Sequence, residues 1–236
     1  MLKRILILLS ICYSCVFAIS DLEKALQFYE ENKFSKAYNL FEKLCKKDSA
    51  KSCFSMAYML ENAQGVPRDL GTAYKLYNKA CNLGLSESCF NMGLILKNQG
   101  YTNESILAFN KACNLGDVKS CNNIALFYEK DQDGKMATYF YKKSCQLKDA
   151  PACYKLGLLY EKGELIKQNI KNSLFFYSKA CNLGYAESCY LLGRYNQLET
   201  KDLQKAKIYF GMACDKKHKE ACAAYKELNS KAVEIY

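Results

Sequence analysis

The chain contains no tryptophan, one histidine (His218) and only two prolines among its 236 residues. A single histidine cannot supply the ligand set of a hydrolytic zinc site. Two prolines and no low-complexity stretch exclude proline-rich linkers and collagen-like segments. No apolar run reaches the roughly 20 residues of a membrane-spanning helix. Nowhere does a serine precede a lysine by three positions, and no Lys-Thr-Gly or Ser-Asp-Asn occurs, so the serine-lysine pair of one large hydrolase class is missing. The twelve glycines form no phosphate-cradling loop. What remains is a chain that is half apolar, one quarter charged and helical in character.

The first residues, MLKRILILLSICYSCVFAIS, read as an export leader. Lys3 and Arg4 form a basic start, residues 5–17 are apolar, and Val16 and Ala18 are small enough to precede a cleavage site after Ala18. A lipoprotein anchor at Cys12 is the rival reading, although Ile11 is bulky where that motif wants a small residue. Cleavage removes two of the 34 basic residues, leaving 32 against 24 acidic ones and a net charge of +8. That charge suits anionic partners such as cell-wall polymers, lipid head groups or acidic proteins, and serves equally as a solvated surface. Export argues against nucleic acid as a partner. The expected location is the periplasm or the cell exterior, the expected mature chain a monomer without a transmembrane span.

The leader also takes Cys12 and Cys15, and the twelve cysteines left stand in six pairs, each eight positions apart: Cys45/Cys53, Cys81/Cys89, Cys113/Cys121, Cys145/Cys153, Cys181/Cys189 and Cys214/Cys222. Their first members recur at steps of 36, 32, 32, 36 and 33 residues. An exported chain with an even, periodic set of cysteines carries a disulfide framework. The expected bridges are those six pairs in that order, and neither a metal nor a cofactor is expected.

Alignment on the cysteines exposes two helices per step. Four residues before each first cysteine stands an aromatic: Phe41, Tyr77, Phe109, Tyr141, Tyr177 or Phe210. Eight before it stands a small residue: Ala37, Ala73, Ser105, Ala137, Ser173 or Ala206. Steps of four share one helix face. Four residues after the second cysteine the small type returns, as Ala57, Gly93, Ala125, Gly157 and Gly193. Glycine inside a helix costs up to ~1 kcal/mol, so its repeated use predicts close backbone packing. Asn-Leu-Gly at residues 82–84, 114–116 and 182–184 predicts helix ends with a left-handed glycine. The 36-residue steps exceed the 32-residue ones by about one helical turn, so the longer connector can shrink without turning the helices out of phase. The unit is read as helix, tight turn, helix, with the disulfide inside it. The predicted fold is all-α, a right-handed superhelical solenoid: one domain over residues 19–236, with about six repeats and capping helices at both ends. The helix near 21–32 lacks a cysteine and Lys226 fills the last small position, as befits caps.

The run Lys179-Ala180-Cys181-Asn182-Leu183-Gly184, followed by Glu187-Ser188-Cys189 and Leu192-Gly193, resembles Sel1-like repeats, relatives of tetratricopeptide repeats. The fixed cysteine pair resembles the Helicobacter cysteine-rich proteins. That resemblance implies β-lactam binding and weak β-lactam hydrolysis, with peptidoglycan as the natural analogue. No catalytic residue can be nominated for it. His218, among lysines, reads as a surface histidine near a helix end. Asp131-Gln132-Asp133-Gly134 lacks the later carboxylates of a calcium loop and reads as a turn.

The remaining candidate is a concave groove. In such solenoids the residues just after each second cysteine, Phe54, Phe90, Asn122, Tyr154 and Tyr190, and those a turn on, Tyr58, Leu94, Leu126, Leu158 and Arg194, are placed to line it. Stiff aromatics there suit a peptide, a protein surface or a peptidoglycan fragment, with β-lactams as the resemblance implies. The same row is also expected of side chains packed against the neighbouring helix.

Overall fold

The computed structural model describes residues 20–233; the leader and its cleavage point lie outside the described residues. Thirteen helices, and no strand, make up the described residues: α1 (Asp21–Glu30), α2 (Phe34–Cys45), α3 (Ala50–Glu61), α4 (Leu70–Asn82), α5 (Ser86–Asn98), α6 (Thr102–Asn114), α7 (Val118–Lys130), α8 (Gly134–Gln146), α9 (Ala150–Lys162), α10 (Ile170–Asn182), α11 (Ala186–Leu198), α12 (Leu203–Asp215) and α13 (Lys219–Val233). The described residues form two compact units that divide between Ala108 and Phe109, inside α6. Within each unit successive helices pack as antiparallel hairpins. No helix among the described residues is long and apolar enough to cross a membrane.

The starts of these helices are written in the sequence as side-chain caps. Asp69, Asp117, Asp133, Asp149, Asn169 and Asp202 each accept a backbone N–H from the first turn of α4, α7, α8, α9, α10 and α12. Ser20 and Glu23 form a reciprocal capping box on α1. The carboxyl of Asp69 is held below its ordinary range by the Thr72 hydroxyl first and the Thr72 N–H second. Asp133, from the calcium-like stretch, caps α8 through the Met136 N–H, and Gln132 makes the preceding left-handed turn.

Two kinds of connection alternate. Six tight turns carry the disulfides, which form as Cys45–Cys53, Cys81–Cys89, Cys113–Cys121, Cys145–Cys153, Cys181–Cys189 and Cys214–Cys222, with Cα atoms 4.6–4.8 Å apart. Three turns place glycine in the left-handed region, at Gly84, Gly116 and Gly184, as the Asn-Leu-Gly pattern predicts. The other three place Asp48, Lys148 and Lys217 there, where no glycine signals the turn. The long connectors, residues 62–69 and 163–169, solve one problem twice: Arg68 and Gln168 donate from their side chains to the last-turn carbonyls of Glu61 and Glu161. These bonds satisfy carbonyls that a helix end leaves open.

The core follows the aligned columns. All six aromatics before the first cysteines and all six small residues a turn earlier are buried. Gly157 and Gly193 are close-approach positions: a Cβ on Gly193 would stand 2.6 Å from the Phe210 ring, and one on Gly157 would strike the Tyr177 ring. Glycine therefore lets the aromatic of the following helix lie flat on the backbone of α9 or α11. Burying one such ring contributes about 1.5–3 kcal/mol. In the first unit Ala25, Ala37, Phe41, Met56 and Met59 share a cluster; in the second Tyr177, Leu192, Ala206, Phe210 and Leu228 do.

Candidate functional site

The residues after the second cysteines are half-buried, and three of their rings lean on the aromatic of the next helix. Phe54 lies 5.6 Å from Tyr77, Tyr154 5.9 Å from Tyr177 and Tyr190 5.9 Å from Phe210. Burial, and then the nearby Glu187 carboxylate, push the Tyr154 phenol above its ordinary range. Asn122, in the same column, donates its amide to the Asp149 carboxylate at 3.0 Å. Phe90 is half-buried like its counterparts. One turn on, Tyr58, Leu126 and Arg194 are exposed while Leu94 and Leu158 are half-buried. The column thus has a packed base and a more open edge.

His218 stands at a helix end, as its sequence context suggests, but is more covered than a surface residue. Its side chain is 13% exposed and stands before α13, where Nδ1 accepts the Ala221 N–H at 3.2 Å. Nε2 therefore carries the proton and donates to Glu187 at 2.9 Å, and the ring stacks on Tyr190 at 4.6 Å. A histidine here does the capping work that Asp117 and Asp149 do in earlier turns.

Three phenol–carboxylate pairs recur. Tyr77 donates to Glu61 at 2.7 Å, Tyr141 to Glu129 at 2.6 Å and Tyr177 to Glu161 at 2.5 Å. Burial first, and the bonded carboxylate second, push all three phenols far above the ordinary tyrosine range. Each glutamate stands eight residues after a second cysteine. Where the paired aromatic is Phe109 or Phe210, that position holds Lys97 or Gln197.

One of these pairs opens into a cleft of the second unit of about 650 Å³, bounded by α9, α10 and α11. Its apolar wall is Ile170, Leu174, Leu191 and Leu198, and its polar groups are Glu161, Tyr177, Arg194, Tyr195 and Glu199. The Arg194 guanidinium sits 6.0 Å from the centre of the Tyr190 ring, which steadies the cation at the cleft edge. Of the expected groove residues Arg194 lines this cleft, Tyr190 supports it from beside, and Phe54, Tyr58, Phe90, Leu94 and Asn122 belong to other parts of the fold. Leu191, Tyr195, Leu198 and Glu199 went unnoticed in the sequence.

Three hydroxyl side chains line the cleft, those of Ser173, Tyr177 and Tyr195. Its one serine, Ser173, is 2% exposed and fills the small-residue column, and no lysine or histidine lines the space to take a hydroxyl proton. Among the described residues no group of three or more His, Cys, Asp or Glu is placed to hold a metal ion.

Stacked, stapled αα-hairpins with an inter-hairpin cleft define a repeat scaffold of the kind that mediates protein interactions. The chain belongs to the Sel1 repeat family, which matches residues 50–85, 118–149, 150–185 and 186–218. The matched segments begin at α3, α7, α9 and α11 and run through the following helix. Each staple therefore joins one repeat to the next, whereas the cysteine-centred reading put it inside the unit. The fold is shared with a Sel1 repeat protein from Oxalobacter formigenes, at a TM-score of 0.60 and 21% identity over 91% of this chain and 100% of that one. It is shared also with c5321, a protective antigen of uropathogenic Escherichia coli strains with an SLR fold, at a TM-score of 0.71 and 20% identity over 95% of this chain and 51% of that one. Cysteine rich protein B of Helicobacter pylori is 27% identical over 51% of this chain and 92% of its own, with a TM-score of 0.42. No curated protein matches the chain.

Proposed function

We propose that this protein is an exported binding scaffold whose second unit holds a peptide segment, from a protein or from the cell wall, in the cleft at Arg194. The observation that carries the reading is the composition of that cleft: a leucine-rich wall facing one guanidinium and two carboxylates. A peptide offers the complement of each. An apolar side chain covers Leu174, Leu191 and Leu198, a carboxylate meets Arg194 in the two-pronged geometry that guanidinium favours, and an amine or backbone N–H meets Glu161 or Glu199. The volume lies within the roughly 300–1,000 Å³ of small-ligand sites, so one or two residues of a peptide fill it. Six disulfides and the leader-like start support an oxidising location outside the cytoplasm.

The test is selection of peptides from a random library on oxidised protein, followed by calorimetry with wild type, Arg194→Glu and Leu198→Asp. Both side chains are exposed, so the fold tolerates the changes. Loss of at least about tenfold in affinity in each variant is expected, a difference of ~1.4 kcal/mol. Selected peptides that bind both variants as well as wild type would place the site elsewhere.

A further inference from the structure

We infer a second surface, independent of the cleft: the exposed side of α8, α10 and α12 docks on an anionic phospholipid membrane. Six residues before the first cysteine the chain reads Asn39, Lys75, Leu107, Tyr139, Phe175 and Ile208. In the second unit the last three are 53%, 52% and 61% exposed, although equivalent columns on the same helices are buried. They occupy equivalent positions of three successive hairpins in one unit and so recur along one side of it.

The charge carried by these helices is predominantly positive. Helices α8 and α10 contain Lys135, Lys142, Lys143, Lys171 and Lys179 and no acidic residue; α12 adds Lys207, and Lys205 there is paired with its cap Asp202 at 2.8 Å. Lys135 and Lys143 stand one turn either side of Tyr139, and Lys171 and Lys179 one turn either side of Phe175, so each ring shares its face with two cations. The Lys179 ammonium lies 4.7 Å from the Phe175 ring centre and that of Lys143 6.0 Å from the Tyr139 ring centre. Between α8 and the 163–169 connector a shallow cleft of about 470 Å³ is lined by Lys135, Thr138, Tyr160, Ile166, Lys167, Gln168 and Asn169, with no carboxylate in its wall. The Thr138 hydroxyl there is buried without a hydrogen-bond partner. The two ammonium groups, of Lys135 and Lys167, suit a phosphodiester head group.

The pattern favours a bilayer over an acidic protein. Single rings separated by lysines cannot merge into the continuous apolar centre of a protein interface. A membrane interface takes such rings one at a time at head-group level, while lysine stems lie along them and ammonium groups meet lipid phosphates.

The test is co-sedimentation of oxidised protein with phosphatidylcholine vesicles, with and without about 30 mol% phosphatidylglycerol. Binding to the anionic vesicles at least tenfold stronger than to the neutral ones, and weakened by high salt, is expected. Lys135→Gln and Lys171→Gln should each weaken it about fivefold, whereas Lys75→Gln in the first unit should not. Phe175→Trp puts the only tryptophan in the chain at the centre of the row. Its emission should shift to the blue on anionic vesicles while circular dichroism stays that of wild type. Equal binding to both vesicles, binding to neither, or an unshifted Trp emission would overturn the inference. Capture by soluble poly-glutamate without vesicle binding would overturn it too, and would make the row a protein-binding surface.

Discussion

At the scale of single residues the recurring device is a buried phenol answered by one carboxylate. Tyr77, Tyr141 and Tyr177 must stay neutral inside the fold, while an unfolded tyrosine ionises near pH 10. Above that pH the unfolded chain holds fewer protons than the folded one. Stability is then complete below pH 10 and falls as pH rises, by up to about 1.4 kcal/mol per pH unit for each phenol. Thermal melts between pH 9 and 11 should show this fall, and a Tyr77→Phe/Tyr141→Phe/Tyr177→Phe variant should show a flatter one. An equal slope in the variant would refute the assignment. The pairing was present in the sequence as a correlation, tyrosine with glutamate and phenylalanine with Lys97 or Gln197. It joins columns 12 or 16 residues apart, so a scan for near-neighbour patterns passes it by. The left-handed turns at Asp48, Lys148 and Lys217 had no signal, because the neighbouring disulfide and helix ends impose a conformation that their side chains do not favour.

At the scale of elements the decisive contact is ring on glycine. The small columns were legible because close packing forbids a larger side chain at every copy. Gly193→Ala tests the reading in its most demanding place, where the new methyl group would meet the Phe210 ring. Overpacking of this kind costs about 1–3 kcal/mol, visible as a lower denaturant midpoint with an unchanged slope. Gly193→Ala combined with Phe210→Leu should recover part of the loss, and failure to do so would mean that the glycine serves its own helix only. The Arg194 cleft was not legible at this level. It draws on α9, α10 and α11 over nearly 40 residues, and its shape depends on where the 163–169 connector ends, which no periodic column encodes. Likewise the aligned cysteines could not say which two helices form a repeat, because a cyclic pattern has no marked beginning.

At the scale of the whole molecule stability rests on many local closures. Each nine-residue disulfide loop contributes about 2.5 kcal/mol in the chain-entropy model, and a repeat array spreads such gains over neighbours. Reduction should lower the melting temperature substantially and broaden the transition; a melt unchanged by reductant would refute this. Cys214 and Cys222 are half-buried while the ten others are buried, so mass spectrometry during mild reduction should find that pair opened first.

The bridges also fix the order in which the molecule can be made. Twelve cysteines allow on the order of ten thousand pairings, yet among the described residues each bridge joins two cysteines that follow one another along the chain. An oxidase that couples thiols strictly in order of emergence, from the amino terminus onward, would make all six correctly with nothing left to reshuffle. No bridge encloses another or waits for a distant partner. Assembly can therefore advance behind a moving chain one ring at a time, and an interrupted synthesis leaves a shorter, correctly bonded array.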